Sequence, residues 1–257
     1  MRILKFGGAA FARSKDFLHV AEIIKSWDEP VVVVVSAMYG VTDELLAMAR
    51  EITSDPPKRE LDMFVSVGER MTMALLAMAL NGRGVSFTGS QSGIITTSDH
   101  TDALIIDVRP FRIQAVIEKG EIPIIAGFQG VSLEKEITTL GRGGSDTSAV
   151  ALAIALGASG VTFYKDVGAI YTADPKTDPL ASPISQLTYD QALKISGHEK
   201  GVLHPRCIAL SQKNGLPLEI RSFTRCKDVG TTISGPAPLE SEKHYERSDF
   251  PSFAAKL

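Results

Sequence analysis

The sequence predicts an α/β fold in which helices pack on a mostly parallel sheet. Two observations carry that prediction. Short apolar runs alternate with helix-period segments along most of the chain, as strand–helix–strand units require. One of these runs, Val31 to Val35, is five consecutive valines. A run that is apolar at every position, without alternation, fits a strand buried on both faces of a parallel sheet.

Arg2 to Phe6 reads as the first strand and ends in Gly7-Gly8. A helix is predicted from Ser14 to Trp27, with Ser14 as N-cap and Phe17, Val20, Ala21 and Ile24 at helical spacing. After the valine strand, Ser36 to Gly40 forms a polar turn, and Thr42-Asp43 is expected to cap a helix running to Glu51. Asp55-Pro56-Pro57 places Thr53 to Lys58 in a loop. One long helix follows from Leu61 to Leu80, interrupted by Gly68 and ended by Asn81-Gly82-Arg83-Gly84. The methionines between Met63 and Met78 read as core filler. Val85 to Phe87 and Ile122 to Ala126 are further strands. Gly141 to Ser145 is a glycine-rich turn, Asp146 opens an alanine-rich helix to Leu156, and Val161 to Tyr164 returns as a strand. Beyond Gly235, two prolines, a charged run from Glu240 to Asp249 and Pro251 predict a poorly packed tail over 236–257.

The 257 residues, 44% hydrophobic and 22% charged, describe an ordinary globular protein. A net charge of −3 gives no electrostatic reason to expect nucleic acid or an anionic membrane as partner. No apolar run approaches the roughly 18 residues of a membrane-spanning helix, and the N-terminus lacks the apolar core of a signal peptide. Cys207 and Cys226 form neither a disulfide framework nor a metal pattern. A cytoplasmic protein is expected.

Four segments carry candidate chemistry. In Lys5-Phe6-Gly7-Gly8, glycines at a strand end let backbone N–H groups approach phosphate oxygens, and the lysine can neutralise their charge; a plain turn has the same pattern. Gly141-Arg142-Gly143-Gly144-Ser145-Asp146 is more specific, because so much glycine is costly unless backbone approach matters. Arg142 can grip a carboxylate or phosphate bidentately. Asp146 either caps its helix or orients a cationic group or metal near phosphates. In Val67-Gly68-Glu69-Arg70, the charged pair fits a solvated helix face, yet Gly68 asks for a packing or binding reason, and Glu69 can receive an ammonium group. The fourth segment, Asp166 to Lys176, fits either nucleotide contacts or a turn-rich loop. No histidine has zinc-site spacing, and no Gly-x-Ser-x-Gly elbow supports serine hydrolase chemistry.

Together these segments resemble the aspartate kinases of the amino acid kinase family. The resemblance rests on Lys5-Phe6-Gly7-Gly8, Val33 to Met38 with Thr42-Asp43, Gly68-Glu69-Arg70, Ser86 to Gln91 and Ala126 to Gly130. It continues through Thr138 to Thr147, Tyr171 to Pro175 and Val202-Leu203-His204-Pro205-Arg206, so it covers Lys5 to about Gly235. It implies an αβα sandwich over 1–235, with an N-terminal amino-acid lobe and a C-terminal nucleotide lobe. The implied reaction moves the γ-phosphoryl group of ATP to the side-chain carboxylate of L-aspartate, at the entry to lysine, threonine and methionine synthesis. The implied catalytic residues are Lys5 and Asp146. Gly7, Gly8, Ser36, Gly143 and Gly144 would bind phosphate; Thr42, Glu69, Arg142 and Ser145 would bind aspartate; Asp166, Tyr171 and Lys176 would bind nucleotide. Mg2+ would be held mainly by the ATP phosphates.

The chain departs from the family pattern at Ala9-Ala10, where hydroxyl residues are usual, at Lys165, where a small hydroxyl residue is usual, and at Gly168-Ala169. Lys176 stands where arginine is common, and Gly201 where a lysine usually precedes Val-Leu-His-Pro. Aspartate kinases generally carry paired ACT regulatory domains after the kinase domain; here a kinase without ACT-mediated feedback is expected, and a homodimer through kinase-domain helices. The competing readings are a relative acting on another free amino acid and a catalytically silent binding subunit.

Overall fold

The computed structural model describes residues 1–173, 177–178, 180–196, 202–226, 228, 230–236 and 243–246. In chain order, the first half contains β1 (Arg2–Phe6), α1 (Ser14–Lys25), β2 (Val31–Val35), α2 (Val41–Ile52), α3 (Lys58–Val65), α4 (Val67–Ala79) and β3 (Gly84–Phe87). The middle contains β4 (Ile94–Thr96), β5 (Ile105–Val108), α5 (Phe111–Glu118), β6 (Ile122–Ala126), β7 (Gln129–Ser132), β8 (Ile137–Thr139) and α6 (Gly144–Leu156). The last part contains β9 (Val161–Lys165), β10 (Ile170–Tyr171), β11 (Pro183–Ile184), β12 (Gln186–Leu187), α7 (Tyr189–Ser196), α8 (Pro205–Asn214), β13 (Leu218–Ser222) and β14 (Thr231–Ile233).

Eight strands form the main sheet in the order β12-β14-β13-β9-β1-β2-β6-β3, and only the β13/β14 pair is antiparallel. Alternation along each central strand sends side chains to two cores. Ile3, Val32, Val34 and Phe163 pack beneath α6 and α8, whereas Leu4, Phe6, Val33 and Val35 pack beneath α1 and α4. This is the expected αβα sandwich, and the valine strand is buried at every position. Helix α6 is buried from Gly144 to Ala155, as its apolar composition on all faces requires. A smaller sheet, β5-β4-β7-β8, was not anticipated. Its strands are three or four residues long, too short to give a readable period.

Several boundaries differ from expectation. The predicted helix Leu61 to Leu80 is two helices that break at Ser66, and Gly68 lies inside the second. A Cβ on Gly68 would come within 2.8 Å of the Ala37 Cβ, so the glycine exists for close packing on the turn after β2. Helix α2 begins at Val41 after Gly40, whose φ of +81° supplies the turn; Thr42-Asp43 therefore occupies the first turn and is not the cap. Ser14 likewise lies inside α1, whose cap is Arg13 paired with Asp16. Helix α6 begins at Gly144, so Asp146 is not its cap either. Of the methionines read as core filler, only Met73 is buried; Met63 of α3 is exposed, and Met71 and Met78 are exposed because α4 turns Thr72, Met73 and Leu76 toward the sheet.

Part of the expected loose tail is held down. Lys243 Nζ donates to Ala155 O, His244 exchanges two hydrogen bonds with Asn214, and Glu246 pairs with Ile105 through both backbone and side chain. Among the described residues, no helix is long and apolar enough to cross a membrane.

Candidate active site

Strand β1 runs parallel between β2 and β9, so all three carboxyl ends open on one edge of the sheet. Register pairs Lys5 of β1 with Phe163 of β9. Two residues further along β9, Lys165 returns to the same face. Asp146 reaches this point from the first turn of α6. Lys5 Nζ lies 2.6 Å from Asp146 Oδ1, as an ion pair without hydrogen-bond directionality. Lys165 Nζ donates to the other oxygen, Oδ2, at 2.9 Å.

The cluster is nearly closed to solvent, with side-chain exposures of 5% for Lys5, 8% for Asp146 and 17% for Lys165. Burial opposes ionisation of Asp146, but the charges of Lys165 and Lys5 outweigh it and hold the carboxyl far below its ordinary range. Burial lowers Lys5, against the attraction of Asp146 and with the repulsion of Lys165. The Cys207 thiol is pushed up by burial and then by the Asp146 charge, so it is a neutral wall of this site.

Gly7 and Gly8 continue from β1 into a short 3-10 turn, Gly8–Phe11. A Cβ on Gly8 would approach the Ala37 carbonyl oxygen to 2.7 Å, so the loops after β1 and β2 meet backbone to backbone. Ser36, at the mouth between them, donates its N–H to Phe6 O at 3.1 Å. The next N–H, of Ala37, donates to Glu69 Oε1 at 3.0 Å. Glu69 is only 3% exposed, and its second oxygen, Oε2, has no hydrogen-bond partner among the described residues. Burial raises its carboxyl from 4.5 to about 7, against the Ala37 N–H and the Lys5 charge. A solvated helix face is thereby excluded for Glu69. An orphaned buried carboxylate oxygen is a costly feature that a cationic ligand would relieve.

The glycine-rich turn closes the third side. Gly143 has a φ of +72°, and a Cβ there would fall 2.3 Å from Cγ of His204. Gly144 packs on Leu140 and Phe128, and Ser145 is buried against Gly127. Arg142 projects from this turn as an exposed side chain, without an ion pair among the described residues. Thr42 is half-buried in the first turn of α2.

Residues 1–222 match the amino acid kinase family. The chain belongs to that family. It is 46% identical over 246 residues to the aspartokinase of Geobacillus stearothermophilus, covering 93% of this chain and 60% of the relative. It is 40% identical over 279 residues to the aspartokinase of Mycobacterium tuberculosis, covering 99% of this chain and 66% of the relative. The chain therefore spans less than two thirds of the length of these curated relatives. The crystal structure of aspartate kinase from Synechocystis superposes with a TM-score of 0.82 at 38% identity, over 93% of this chain and 40% of that one.

Within this member of the amino acid kinase family, the residues expected to bind nucleotide are less tightly gathered. Asp166 is exposed immediately past β9, Tyr171 is half-buried in the β10–β11 hairpin opposite Pro183, and Lys176 lies outside the described residues. Two supporting residues were missed. His204 fills the space that Gly143 leaves open, and Arg206 donates to the carbonyls of Leu140 and Ala103 and to Glu246. Arg206 thus anchors the base of the glycine-rich turn. The His-Pro-Arg sequence carried the signal, but a lone histidine before proline says nothing of what it packs against.

Proposed function

We propose that this chain catalyses transfer of the γ-phosphoryl group of ATP to the side-chain carboxylate of L-aspartate, giving 4-phospho-L-aspartate and ADP. The observation that carries the reading is the pairing, at one sheet edge, of the orphaned Glu69 carboxylate with the Lys5–Asp146–Lys165 cluster. The first fits an amino group; the second fits a phosphate. The aspartokinase relatives at 40% and 46% identity support aspartate as the acceptor.

In this reading Glu69 Oε2 takes the substrate ammonium, and Arg142 pairs with the α-carboxylate. Thr42 and Ser145 orient the side-chain carboxylate, which is ionised at pH 7 and attacks without a general base. One carboxylate oxygen forms the new bond to the γ-phosphorus as the bond to the β–γ bridging oxygen breaks, and ADP leaves. Lys5, with the backbone of Gly7, Gly8, Gly143 and Gly144 and with Ser36, holds the phosphoryl group and neutralises charge that grows in the transition state. Asp166, Tyr171 and Lys176 bind the nucleotide, so residues 1–235 divide into an amino-acid lobe and a nucleotide lobe.

Mg2+ fits this site only as a passenger of the nucleotide. Asp146 commits both oxygens to lysines, and no group of three or more His, Cys, Asp or Glu side chains among the described residues forms a cage. When bound, the ion would supply charge neutralisation at the phosphates. The pathway assigned is lysine, threonine and methionine synthesis in the cytoplasm, consistent with two free cysteines. A homodimer through helices such as α4, which leaves Met71 and Met78 exposed, completes the reading.

The test traps acyl phosphate with hydroxylamine in the presence of MgATP and L-aspartate, L-glutamate or no acceptor. Aspartate-dependent hydroxamate, absent in Lys5→Ala, is expected. Hydroxamate with glutamate alone would move the substrate, and ATP binding without any hydroxamate would overturn the activity.

A further inference from the structure

One carboxylate balances one cation, and this site holds two, Lys5 buried and Lys165 half-buried. Lys5 alone would neutralise Asp146, yet Lys165 is also brought in, on the neighbouring strand and the same face, and takes the second oxygen. These three side chains therefore carry one surplus positive charge in a largely closed site. The Glu69 carboxyl, raised to about 7, offsets it only in part, and that surplus is costly unless an anion completes it. An ammonium has three N–H donors. Lys165 gives one to Asp146 at 2.9 Å, and its Nζ also lies 5.8 Å from the centre of the Phe163 ring. It is also the more open of the two lysines, at 17% against 5%. A purely structural clamp would need only the neutral pair.

We propose that Lys165 is a second phosphate-binding cation of this site, held by Asp146 beside Lys5 so that the two ammonium groups grip the terminal phosphate of a nucleoside triphosphate together. Asp146 is then the spacer between two cations. The proposal rests on the phosphoryl-transfer reading of the same site, but it concerns the triphosphate and not the acceptor.

The experiment measures binding of MgADP and of a non-hydrolysable Mg–triphosphate analogue by calorimetry, with wild-type protein, Lys165→Met, Lys165→Thr and Lys165→Arg. A charge-assisted hydrogen bond to phosphate corresponds to about 10- to 100-fold in affinity. Lys165→Met and Lys165→Thr are expected to weaken the triphosphate analogue by about that factor and to leave ADP nearly unchanged, while Lys165→Arg restores most of the difference. Their melting temperatures are expected to match or exceed wild type, because a neutral pair remains. Unchanged preference for triphosphate over diphosphate would overturn the proposal. So would equal loss of both ligands with a lowered melting temperature, or failure of both neutral variants to fold, since each marks a structural clamp. Loss of triphosphate preference in a chain that never phosphorylates aspartate would sink the substrate reading and leave this one standing. Aspartate turnover that is unaffected in Lys165→Met would do the reverse.

Discussion

Glu69 gives the sharpest prediction, because its position costs stability in a pH-dependent way. Its carboxyl is raised from 4.5 to about 7, first by burial. The folded state thus holds a proton that the unfolded chain releases above 4.5, and folding becomes less favourable as pH rises from there to 7. Across that interval the shift is worth about 3 kcal/mol, at about 1.4 kcal/mol per pKa unit. Glu69→Gln keeps an oxygen to accept from the Ala37 N–H and removes the charge. At pH 8 it should stabilise the free protein by up to about 3 kcal/mol, and at pH 5 by about 1 or less. For a chain of this size that is a rise of roughly 6–12 °C in Tm at pH 8. The same substitution should abolish recognition of the amino group. In wild type, the affinity for amino acid should rise about tenfold from pH 6 to pH 8 as Glu69 ionises, whereas in Glu69→Gln it should stay weak at every pH. Thermal melts at the two pH values, with calorimetric titration of L-aspartate, measure both effects. A variant no more stable at pH 8 than at pH 5, relative to wild type, would refute the reasoning.

Asp146→Asn leaves the buried Lys5 and the half-buried Lys165 without a counter-charge and should cost about 3–5 kcal/mol in urea unfolding at pH 7. Because the folded Asp146 carboxyl lies below its ordinary 3.8, that stability is present above about pH 4 and fades as pH falls through the folded value, so the gap to wild type should close only in strong acid. Gly143→Ala must accept both a φ of +72° and a methyl 2.3 Å from His204 Cγ. It should lose at least about 2 kcal/mol by denaturant midpoint, and turnover with it. Gly68→Ala places a methyl 2.8 Å from Ala37 Cβ and displaces the turn whose N–H reaches Glu69; amino-acid affinity should fall about tenfold in calorimetry, the effect of losing one hydrogen bond to a charged group, with helical circular dichroism intact.

How much of this was legible depends on whether a residue's role is local. The valine strand, the Gly-Gly after β1 and the glycine-rich turn before α6 each signal through neighbours in sequence, and each stands where expected. Helix starts were misplaced for a common reason. Thr42 and Asp146 have cap-forming side chains, but Gly40 and Gly143 supply left-handed backbone just upstream and open the helices earlier. Glu69 was ambiguous because Glu69-Arg70 reads equally as a wet face; its burial follows from Gly68, which lets α4 press on Ala37 from another element. Lys165 departed visibly from the family pattern, yet its partner is 19 residues away across a strand–helix contact that no local pattern encodes. The small sheet and the anchoring of residues 243–246 are likewise long-range and were unreadable.

The two costly charges of the site are coupled, and that coupling can be measured. Lys5 helps to keep Glu69 ionised, since its charge opposes the upward push of burial. A triphosphate bound at Lys5 and Lys165 cancels that positive field. Nucleotide binding alone should therefore raise the Glu69 carboxyl further and draw a proton onto it near pH 7. A substrate ammonium at Oε2 has the opposite effect and expels the proton. Calorimetry of the triphosphate analogue in two buffers of different ionisation enthalpy should show net proton uptake of up to about half a proton per site near pH 7, where a group of pKa about 7 is half ionised. The uptake should disappear in Glu69→Gln and be suppressed when L-aspartate is already bound, because the substrate ammonium has by then expelled the proton. Uptake that persists in Glu69→Gln would assign the proton to Lys5, whose burial also lowers it, and would break the link between the two halves of the site.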